Sequence, residues 1–265
     1  MSKTIKTILD LLTDDEPFQF YGNNTTSIHG VKNITEIQNN YASYSTSTRT
    51  IPNNRRNALL VTSDKQMKQD CNIILTSNPR YIFAQILNMF RDYYPDDEPI
   101  IGKNFRIGEQ CVLKNCIIGD NVKIHSGTII GESGFGYVKN SSETKTIEFP
   151  HYGKAIIGDN VNIHSNCCVD RGSLTNTIIE ENCKFDNFCH IAHNDVIGKF
   201  TMVSARTMVS GGVTIGRHCW IGSGSSIIDK ITIEHHTFLG TGSNVIKSIT
   251  EPYQTWAGNP ARRLK

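Results

Sequence analysis

Apolar residues recur at every sixth position over a long stretch of this chain. From Ile179 to Val245, twelve consecutive positions spaced six residues apart carry a branched or aromatic apolar side chain. An α-helix needs apolar positions three and four residues apart, and a strand needs them two apart, so neither period fits over this length. The period of six predicts a triangular parallel β-helix, in which each face contributes one inward side chain and each corner a tight turn.

The same register occurs earlier in the chain, with interruptions. One run extends from Ile101 to Ile130, with a one-residue slip, and another from Ile157 to Val169. The segment between these runs is too long for a corner, so we expect it to leave the β-helix and return. The repeats number twenty-one, which predicts seven coils. At about 4.8 Å per coil the prism is roughly 30 Å tall.

The first 98 residues show no period of six. The segments "IKTILDLL" and "NPRYIFAQILNMFRDYY" predict amphipathic helices, whereas "NALLVTS" and "CNIILTS" predict short buried strands. We therefore expect a mainly β protein with three parts. These are a small α/β domain over residues 1–98, the β-helix over residues 99–250 and a C-terminal tail over residues 251–265.

Composition and charge exclude several classes of protein. A formal charge of +2 and a pI near 8.1 give no reason to expect a nucleic-acid partner. No apolar run reaches the length of a membrane span, and the N-terminal segment is too acidic for a signal peptide. The eight cysteines form no C-x-x-C pair, which predicts thiols in a reducing compartment. We expect a cytoplasmic protein.

Three motifs resemble one enzyme family. "GFGY", then "FPHYGKAIIGDNVNIHSNCCVDRGSL", then "DNFCHIAHNDVIG" occur in the order and spacing of the UDP-3-O-(3-hydroxyacyl)glucosamine N-acyltransferases of lipid A synthesis. The N-terminal "NALLVTS" and "SNPRYIFAQIL" resemble that family's nucleotide-binding domain. The resemblance implies a left-handed β-helix, a homotrimer with its catalytic centres between subunits, and transfer of an acyl group from a thioester to the amine of a nucleotide-linked sugar.

The resemblance also implies roles for individual residues near the third motif. His193 matches the family's catalytic histidine, and an imidazole suits a general base at neutral pH. Asn187 and Asp186 match residues that orient this base or hold the acceptor sugar. The backbone N–H near Gly211 is the candidate donor to the oxyanion of the tetrahedral intermediate. Strand alternation points His190 outward, toward the same groove.

Further substrate-binding residues are expected on the acceptor side. Asp170 lies in the "DRGSL" motif, and Phe135 and Tyr137 in the "GFGY" motif could border the sugar or the nucleotide. Asn78 and Tyr81 match the region in which the family holds its uracil ring, and Tyr81 could stack on a pyrimidine. The alternative for Tyr81 is that it packs in the helix core.

The sequence departs from the lipid A family in ways that bear on the donor. Lys230 stands where the family has a second histidine, and the chain given ends at "YQTWAGNPARRLK", which resembles coenzyme A-dependent hexapeptide acetyltransferases. This favours acyl-CoA as co-substrate over acyl carrier protein, and a surface glycan such as an O-antigen or capsule as the destination. The candidate donor-binding residues are Gly240, Lys247, Arg262 and Arg263, with Lys265 beside them.

Four other functions remain open on the sequence alone. A γ-carbonic anhydrase-like enzyme would bring His164, His190 and His193 together on zinc, although we expect no metal. A sugar O-acetyltransferase could use the same histidine on a hydroxyl. A trimeric scaffold could bind the nucleotide sugar without turnover. A lipid A N-acyltransferase that uses acyl carrier protein is the nearest alternative.

Overall fold

The computed structural model describes residues 2–46, 55–65 and 71–264. Contacts divide the chain into two compact units. The first comprises Met1–Pro95 and Phe135–Pro150, and the second comprises Asp96–Gly134 and His151–Lys265. The division after Pro95 lies three residues before the expected boundary. The excursion returns to the N-terminal unit, and residues 251–265 lie in the second unit instead of forming a separate part.

The first unit is a small α/β layer structure. Its helices are α1 (Ile5–Leu11) and α2 (Pro79–Met89), with 3₁₀ turns at Ile34–Glu36 and Arg91–Tyr93. Its strands are Lys3–Thr4, Phe18–Tyr21, Ser27–Ile28, Gly30–Val31, Tyr41–Ser45, Leu59–Thr62 and Asn72–Thr76, and the excursion forms a hairpin of Tyr137–Lys139 and Thr146–Glu148. Five of the strands form one sheet. The predicted helices and buried strands are thus confirmed.

The second unit consists of three sheets, one per face of a triangular prism, and their strands are parallel except for the last, Arg262–Arg263, which pairs antiparallel with Thr255–Ala257. The first face holds Ile100–Ile101, Cys116–Ile118, Ala155–Ile157, Thr177–Ile179, Val196–Ile197, Thr214–Ile215 and Thr232–Ile233. The second face holds Arg106–Ile107, Lys123–Ile124, Asn162–Ile163, Lys184–Phe185, Met202–Val203, Trp220–Ile221, Phe238–Leu239, Thr255–Ala257 and Arg262–Arg263. The third face holds Val112–Leu113, Ile129–Ser133, Cys168–Arg171, His190–Ile191, Met208–Val209, Ser226–Ile227 and Asn244–Val245. The predicted β-helix is confirmed.

The period of six determines which side chains enter the prism. The residues of the repeat from Ile118 to Val245 are at most 2% exposed, whereas their outward neighbours such as Trp220 are 45% exposed. Ile101 and Ile107 of the first coil remain 44% and 49% exposed, because their strands pair with a neighbouring coil on one side only. A second inward position lies two residues before each repeat residue and carries small side chains such as Cys183, Thr201 and Ser225.

The corners require left-handed backbone at every sixth residue. From Asn182 to Gly242, all eleven such positions have positive φ. Asparagine and glycine tolerate this conformation best, but Phe188, Arg206 and Lys230 adopt it as well. Four corner rings, Phe200, His218, His236 and Tyr253, stack with successive centroid distances of 4.9, 4.8 and 4.4 Å.

Most of the cysteines lie inside the prism. None of the eight cysteines, all of which lie within the described residues, forms a disulfide, and five of them are buried in the second unit. Within the described residues, no helix could cross a bilayer.

Replacing Ile215 by Ala is expected to lower the free energy of unfolding by about 2–5 kcal/mol, because it leaves a cavity in the middle of the prism. The neighbouring Thr214 is exposed on the outer surface, so Thr214→Ala should change stability by less than about 0.5 kcal/mol. Chemical denaturation followed by circular dichroism measures both values. Equal effects of the two variants would contradict the assignment of inward and outward positions.

Candidate active site

His193 lies at the corner between the third and first faces, two residues after the inward Ile191. Its ring is held closely by backbone on two sides. A Cβ built on Gly211 would lie 2.7 Å from His193 Cε1, and one on Gly134 would lie 2.9 Å from His193 Cδ2. These glycines belong to two other coils of the prism, so the stacking of coils itself forms the slot in which the imidazole sits.

Asn194 determines the tautomer of His193. Its Oδ1 lies 3.0 Å from Nδ1 of His193 and also accepts hydrogen bonds from the backbone N–H and hydroxyl of Ser173. Its Nδ2 donates to Thr175. Because an amide oxygen only accepts, Nδ1 of the neutral imidazole carries the hydrogen. The lone pair of the neutral ring is therefore on Nε2.

Asp186 and Asn187 do not orient this imidazole within the chain. They lie at the preceding corner, between the second and third faces. Asn187 Nδ2 donates to Asp186 Oδ1 at 2.8 Å, and Asn187 Oδ1 accepts from the N–H of Ser165 at 3.1 Å. The strand His190–Ile191 separates this corner from His193. Within one chain they therefore do not contact His193, because a step of six residues moves a side chain by one corner, and their role at the base or the acceptor sugar stays a prediction.

The carboxyl of Asp170 and the imidazole of His190 lie close to each other, next to His193. His190 Nε2 lies 3.7 Å from Asp170 Oδ2, and Cys168–Arg171 and His190–Ile191 are neighbouring parallel strands. A Cβ on Gly134 would lie 2.9 Å from the same Asp170 oxygen. Burial raises the pKa of the Asp170 carboxyl above its usual range, and the imidazoles of His190 and His193 oppose that rise. The structure thus brings together three of the expected residues.

His151 is a member of this cluster that the sequence analysis missed. The residue is 4% exposed, and its ring meets the His193 ring edge to face, with centroids 4.9 Å apart. It follows the excursion, where the period of six is interrupted. The only signal in the sequence was its place in the "FPHYG" motif.

Gly211 borders the other side of the imidazole, and Lys230 lies beside Gly211 in the following coil. The N–H of Gly212 donates to the His193 carbonyl at 2.9 Å, whereas among the described residues no acceptor is found for the N–H of Gly211. Lys230 donates its backbone N–H to the Gly211 carbonyl at 3.1 Å, and its Nζ pairs with Asp229 at 3.0 Å. A free backbone donor and a lysine therefore lie in the coils that follow His193.

The residues of the first unit that were expected to bind the nucleotide differ in how accessible their side chains are to a ligand. Asn78 caps α2, accepting from the N–H of Tyr81 at 3.2 Å, and donates from Nδ2 to the Lys139 carbonyl at 2.9 Å. Tyr81 is fully buried, and its hydroxyl donates to Asp15 at 2.8 Å. Burial, followed by this hydrogen bond, raises the pKa of Tyr81 to about 12. The expectation that Tyr81 stacks on a base is therefore wrong, since its ring has no accessible face.

Phe135 and Tyr137 are accessible in the same unit. Phe135 is 90% exposed and Tyr137 is 53% exposed, with ring centroids 5.1 Å apart. Two neighbouring exposed aromatic rings provide a surface on which a planar base or a sugar ring can pack.

The expected donor-binding residues lie near the last strands of the second unit. Arg262 and Arg263 are exposed, and Arg263 pairs with Glu251 at 3.3 Å. Lys247 Nζ lies 5.6 Å from the centre of the Trp256 ring. A Cβ on Gly240 would meet the Cβ of Ala257 at 2.8 Å, so this glycine serves the packing of the final strand. Lys265 lies outside the described residues.

The arrangement does not support a zinc site within one chain. Among the described residues, no group of three or more His, Cys, Asp or Glu side chains could hold a metal ion. His164 stacks on His125 with ring centroids 4.4 Å apart, on the far side of the third face from His193.

Fold and repeat together define a hexapeptide-repeat protein of the left-handed β-helix class. The model of the bacterial transferase hexapeptide family, with six repeats, matches residues 98–132. UDP-3-O-acylglucosamine N-acyltransferase of Caulobacter sp. (strain K31) is 38% identical over 105 residues, which are 40% of this chain and 30% of that protein. The second enzyme of that name from Legionella pneumophila is 39% identical over 99 residues, 37% of this chain and 28% of that protein. The chain thus spans less than a third of the length of these relatives.

Solved structures agree with the fold. LpxA from Acinetobacter baumannii superimposes with a TM-score of 0.54 at 23% identity, over 63% of this chain and 69% of that one. LpxA from Bacteroides fragilis, a UDP-N-acetylglucosamine acyltransferase, gives a TM-score of 0.54 at 21% identity. The superposition covers 63% of this chain and 70% of that one. At these identities the likeness establishes the β-helix fold.

Replacing Gly211 by Ala is expected to displace the His193 ring, because the new methyl group would lie within 3.1 Å of three ring atoms. The histidine ring signals in an NMR spectrum should shift for His193 and leave those of His125 unchanged. Ser210→Ala, one residue earlier, is the matched control. If the His193 signals did not shift in Gly211→Ala, the claim that Gly211 packs closely against the His193 ring would be contradicted.

Proposed function

We propose that this protein transfers an acyl group from a thioester to the amine of a UDP-linked amino sugar, with His193 as general base. The observation that carries the proposal is a His193 ring held between Gly134 and Gly211, whose Nδ1 is bonded to Asn194 and whose Nε2 has no hydrogen-bond partner among the described residues. The names of the sequence relatives support this substrate class, since they act as N-acyltransferases on UDP-3-O-acylglucosamine.

Few groups are needed for the reaction. The sugar amine attacks the thioester carbonyl, a C–N bond forms, and Nε2 of His193 takes the amine proton. The N–H of Gly211 donates to the developing oxyanion. As the tetrahedral intermediate collapses, the C–S bond breaks and the protonated His193 returns a proton to the thiolate, which leaves as the thiol. His151, packed against the ring, holds the imidazole in place throughout.

The acceptor is held by polar groups next to His193. Asp170 and His190 lie on neighbouring strands and face the same slot, so that they can accept from and donate to sugar hydroxyls. Phe135 and Tyr137, in the first unit, stay candidates for packing against a base or a sugar ring on the exposed surface of that unit. Asp186 is left as a candidate for the acceptor site contributed by a neighbouring subunit, since it lies at another corner of its own prism.

Acyl-CoA is the donor that we propose. Arg262, Arg263 and Lys247 place three cations near the last coil, where guanidinium and ammonium groups suit the phosphates of coenzyme A. The Arg263–Glu251 pair is exposed, and such pairs contribute little stability, so a phosphate can displace the carboxylate.

A homotrimer completes the proposal. Met202, Trp220 and Phe238 occupy successive outward positions of the second face and are 44%, 45% and 46% exposed. Large apolar side chains stacked in this way typically mark an interface. A closed threefold arrangement covers this stripe on every copy and creates three identical grooves.

The test of the reaction is a thiol-release assay with acetyl-CoA and a panel of UDP- and dTDP-linked amino sugars. His193→Gln should lower the rate by about 10²–10⁴, because general-base catalysis is worth that much. His125→Gln, at a different corner, is the control and should retain full activity.

Three outcomes would redirect or contradict the proposal. Turnover with a hydroxyl analogue and none with the amine would establish an O-acyltransferase. Turnover with acyl carrier protein and none with acyl-CoA would overturn the assigned donor. Full activity of His193→Gln would contradict the assignment of His193 as the general base.

Trp220→Asp is expected to dissociate the trimer, since it places a charge in the middle of the apolar stripe. Thr214→Asp, on the outward side of the first face, is the matched control. Analytical ultracentrifugation measures the mass of both variants. A wild-type protein that sediments as a monomer would contradict the trimer at once.

A further inference from the structure

The first unit contains a cavity of about 520 Å³ whose lining residues have no part in the proposed reaction. It lies where the end of α1, the second half of α2 and the hairpin strand Thr146–Glu148 come together. Gln85, Asn88 and Met89 are spaced by three and four residues along α2 and therefore share one face of this helix. The volume is within the range of small-molecule sites in proteins, about 300–1,000 Å³. The cavity lining belongs to the first unit, whereas His193 belongs to the second.

Gln85 places a hydrogen-bond donor without an acceptor at the wall of this cavity. The residue is 9% exposed and lies in a run of buried residues of α2. Its Oε1 accepts from the backbone N–H of Thr13 at 2.9 Å, and Thr13 also lines the cavity. Because this N–H can only donate, the carboxamide oxygen must face Thr13 and Nε2 must face away from it. Nε2 is buried and has no hydrogen-bond partner among the described residues. This state costs free energy, and an oxygen atom of a ligand would relieve it.

Lys145 provides a cation next to this part of the lining. Its Nζ lies 2.9 Å from Asp15 Oδ2, and the hydroxyl of Thr13 donates to the other carboxylate oxygen of Asp15. Thr13 thus links Gln85 to the ion pair of Lys145 and Asp15. The side chain of Lys145 is 47% exposed, and exposed ion pairs contribute little stability. When Lys145 turns toward a ligand, Asp15 keeps the hydrogen bond that the Tyr81 hydroxyl donates at 2.8 Å.

The other cation of the lining is held by two acceptors. Arg91 Nη2 lies 2.7 Å from Glu148 Oε2 and 2.8 Å from Asn88 Oδ1. Asn88 in turn donates from Nδ2 to the Glu148 carbonyl at 2.9 Å. This network joins the end of α2 to the hairpin and neutralises Arg91. Lys145 is therefore the cation of the lining that is better able to bind an anion.

Three apolar side chains form another part of the lining and come from three separate elements. They are Leu11 of α1, Met89 of α2 and Ile147 of the hairpin. Leu11 is 52% exposed, and Met89 and Ile147 are partly exposed. Contact with an alkyl chain would remove this apolar surface from water, and the flexible side chain of Met89 can adapt to such a chain. The cavity therefore combines two hydrogen-bond donors, one of them charged, with an apolar wall.

We propose that this cavity binds a monocarboxylic acid with an apolar tail. One carboxylate oxygen accepts from Nε2 of Gln85 and the other from Nζ of Lys145, and the tail packs against Leu11, Met89 and Ile147. A carboxylate suits these two donors because it only accepts hydrogen bonds and because the ammonium group supplies the opposite charge. The proposal does not depend on the proposed acyl transfer, since binding is measured without a thioester or an amino sugar.

Binding is followed on the full chain, labelled with carbon-13 at the methionine methyl groups. The NMR signal of the Met89 methyl group, assigned with Met89→Leu, reports on the cavity, and that of Met202 distinguishes binding to the second unit. The probes are octanoate, octan-1-ol, which has the tail without the charge, acetate, which has the charge without the tail, and UDP. We expect octanoate to shift the Met89 signal saturably and to bind at least about tenfold more tightly than octan-1-ol or acetate. UDP should leave this signal unchanged.

Lys145→Gln and Gln85→Glu are each expected to weaken octanoate binding by about 10–100-fold, because a hydrogen bond to a charged group contributes that much. Gln85→Glu keeps an oxygen toward Thr13 and removes the amide donor. Leu11→Gln should weaken binding through the tail. Lys6→Gln removes an exposed lysine of α1 that does not line the cavity, so it is the matched control and should bind octanoate as the wild type does.

Three outcomes would overturn the proposal. Equal affinities for octanoate and octan-1-ol would show an apolar groove without a carboxylate site. A Met89 signal that shifts with UDP and not with octanoate, or with neither probe, would exclude the proposed ligand. If Gln85→Glu does not fold, the two variants at exposed positions, Lys145→Gln and Leu11→Gln, decide the question, and wild-type affinity of both for octanoate would contradict the assigned contacts.

Discussion

The backbone hydrogen bonds between successive coils determine the positions of the other features of the second unit. Each coil donates to and accepts from the coil beside it in register, as when Val196 N–H donates to the Val213 carbonyl at 2.9 Å. The register leaves no freedom to slide, since a shift by one residue would turn every inward side chain outward. Each residue consequently lies beside its equivalent in the next coil, and this explains the inward ladders, the row of left-handed corners and the stacked corner rings.

The same constraint gives the site its geometry. The imidazole of His193 is held by Gly211 of the next coil and by Gly134, which follows a strand of an earlier coil, and both approaches are too close for a side chain. Such a slot is made of backbone and does not depend on flexible side chains. Asn194 then selects the tautomer. Two consecutive residues of one corner thus present and orient the same ring.

Most of the fold could be predicted from the sequence because a period of six leaves a direct trace. Phe185 and Ile191 follow it without ambiguity, and the same count would have placed Asn187 one corner before His193. The motif resemblance concealed that step. His151 lies beyond an interruption of the period, so no spacing connects it to His193. Tyr81 was open to two interpretations, and the burial of its ring, which only packing reveals, decides between them.

The central claim is that the neutral His193 ring carries its hydrogen on Nδ1 and offers Nε2 to the attacking amine. Nitrogen-15 NMR of histidine-labelled protein, recorded at a pH at which the ring is neutral, measures this directly. It uses the couplings of each ring nitrogen to the ring protons. The account predicts that Nδ1 is protonated and Nε2 is not. A ring protonated on Nε2, with an unprotonated Nδ1 facing Asn194, would contradict it.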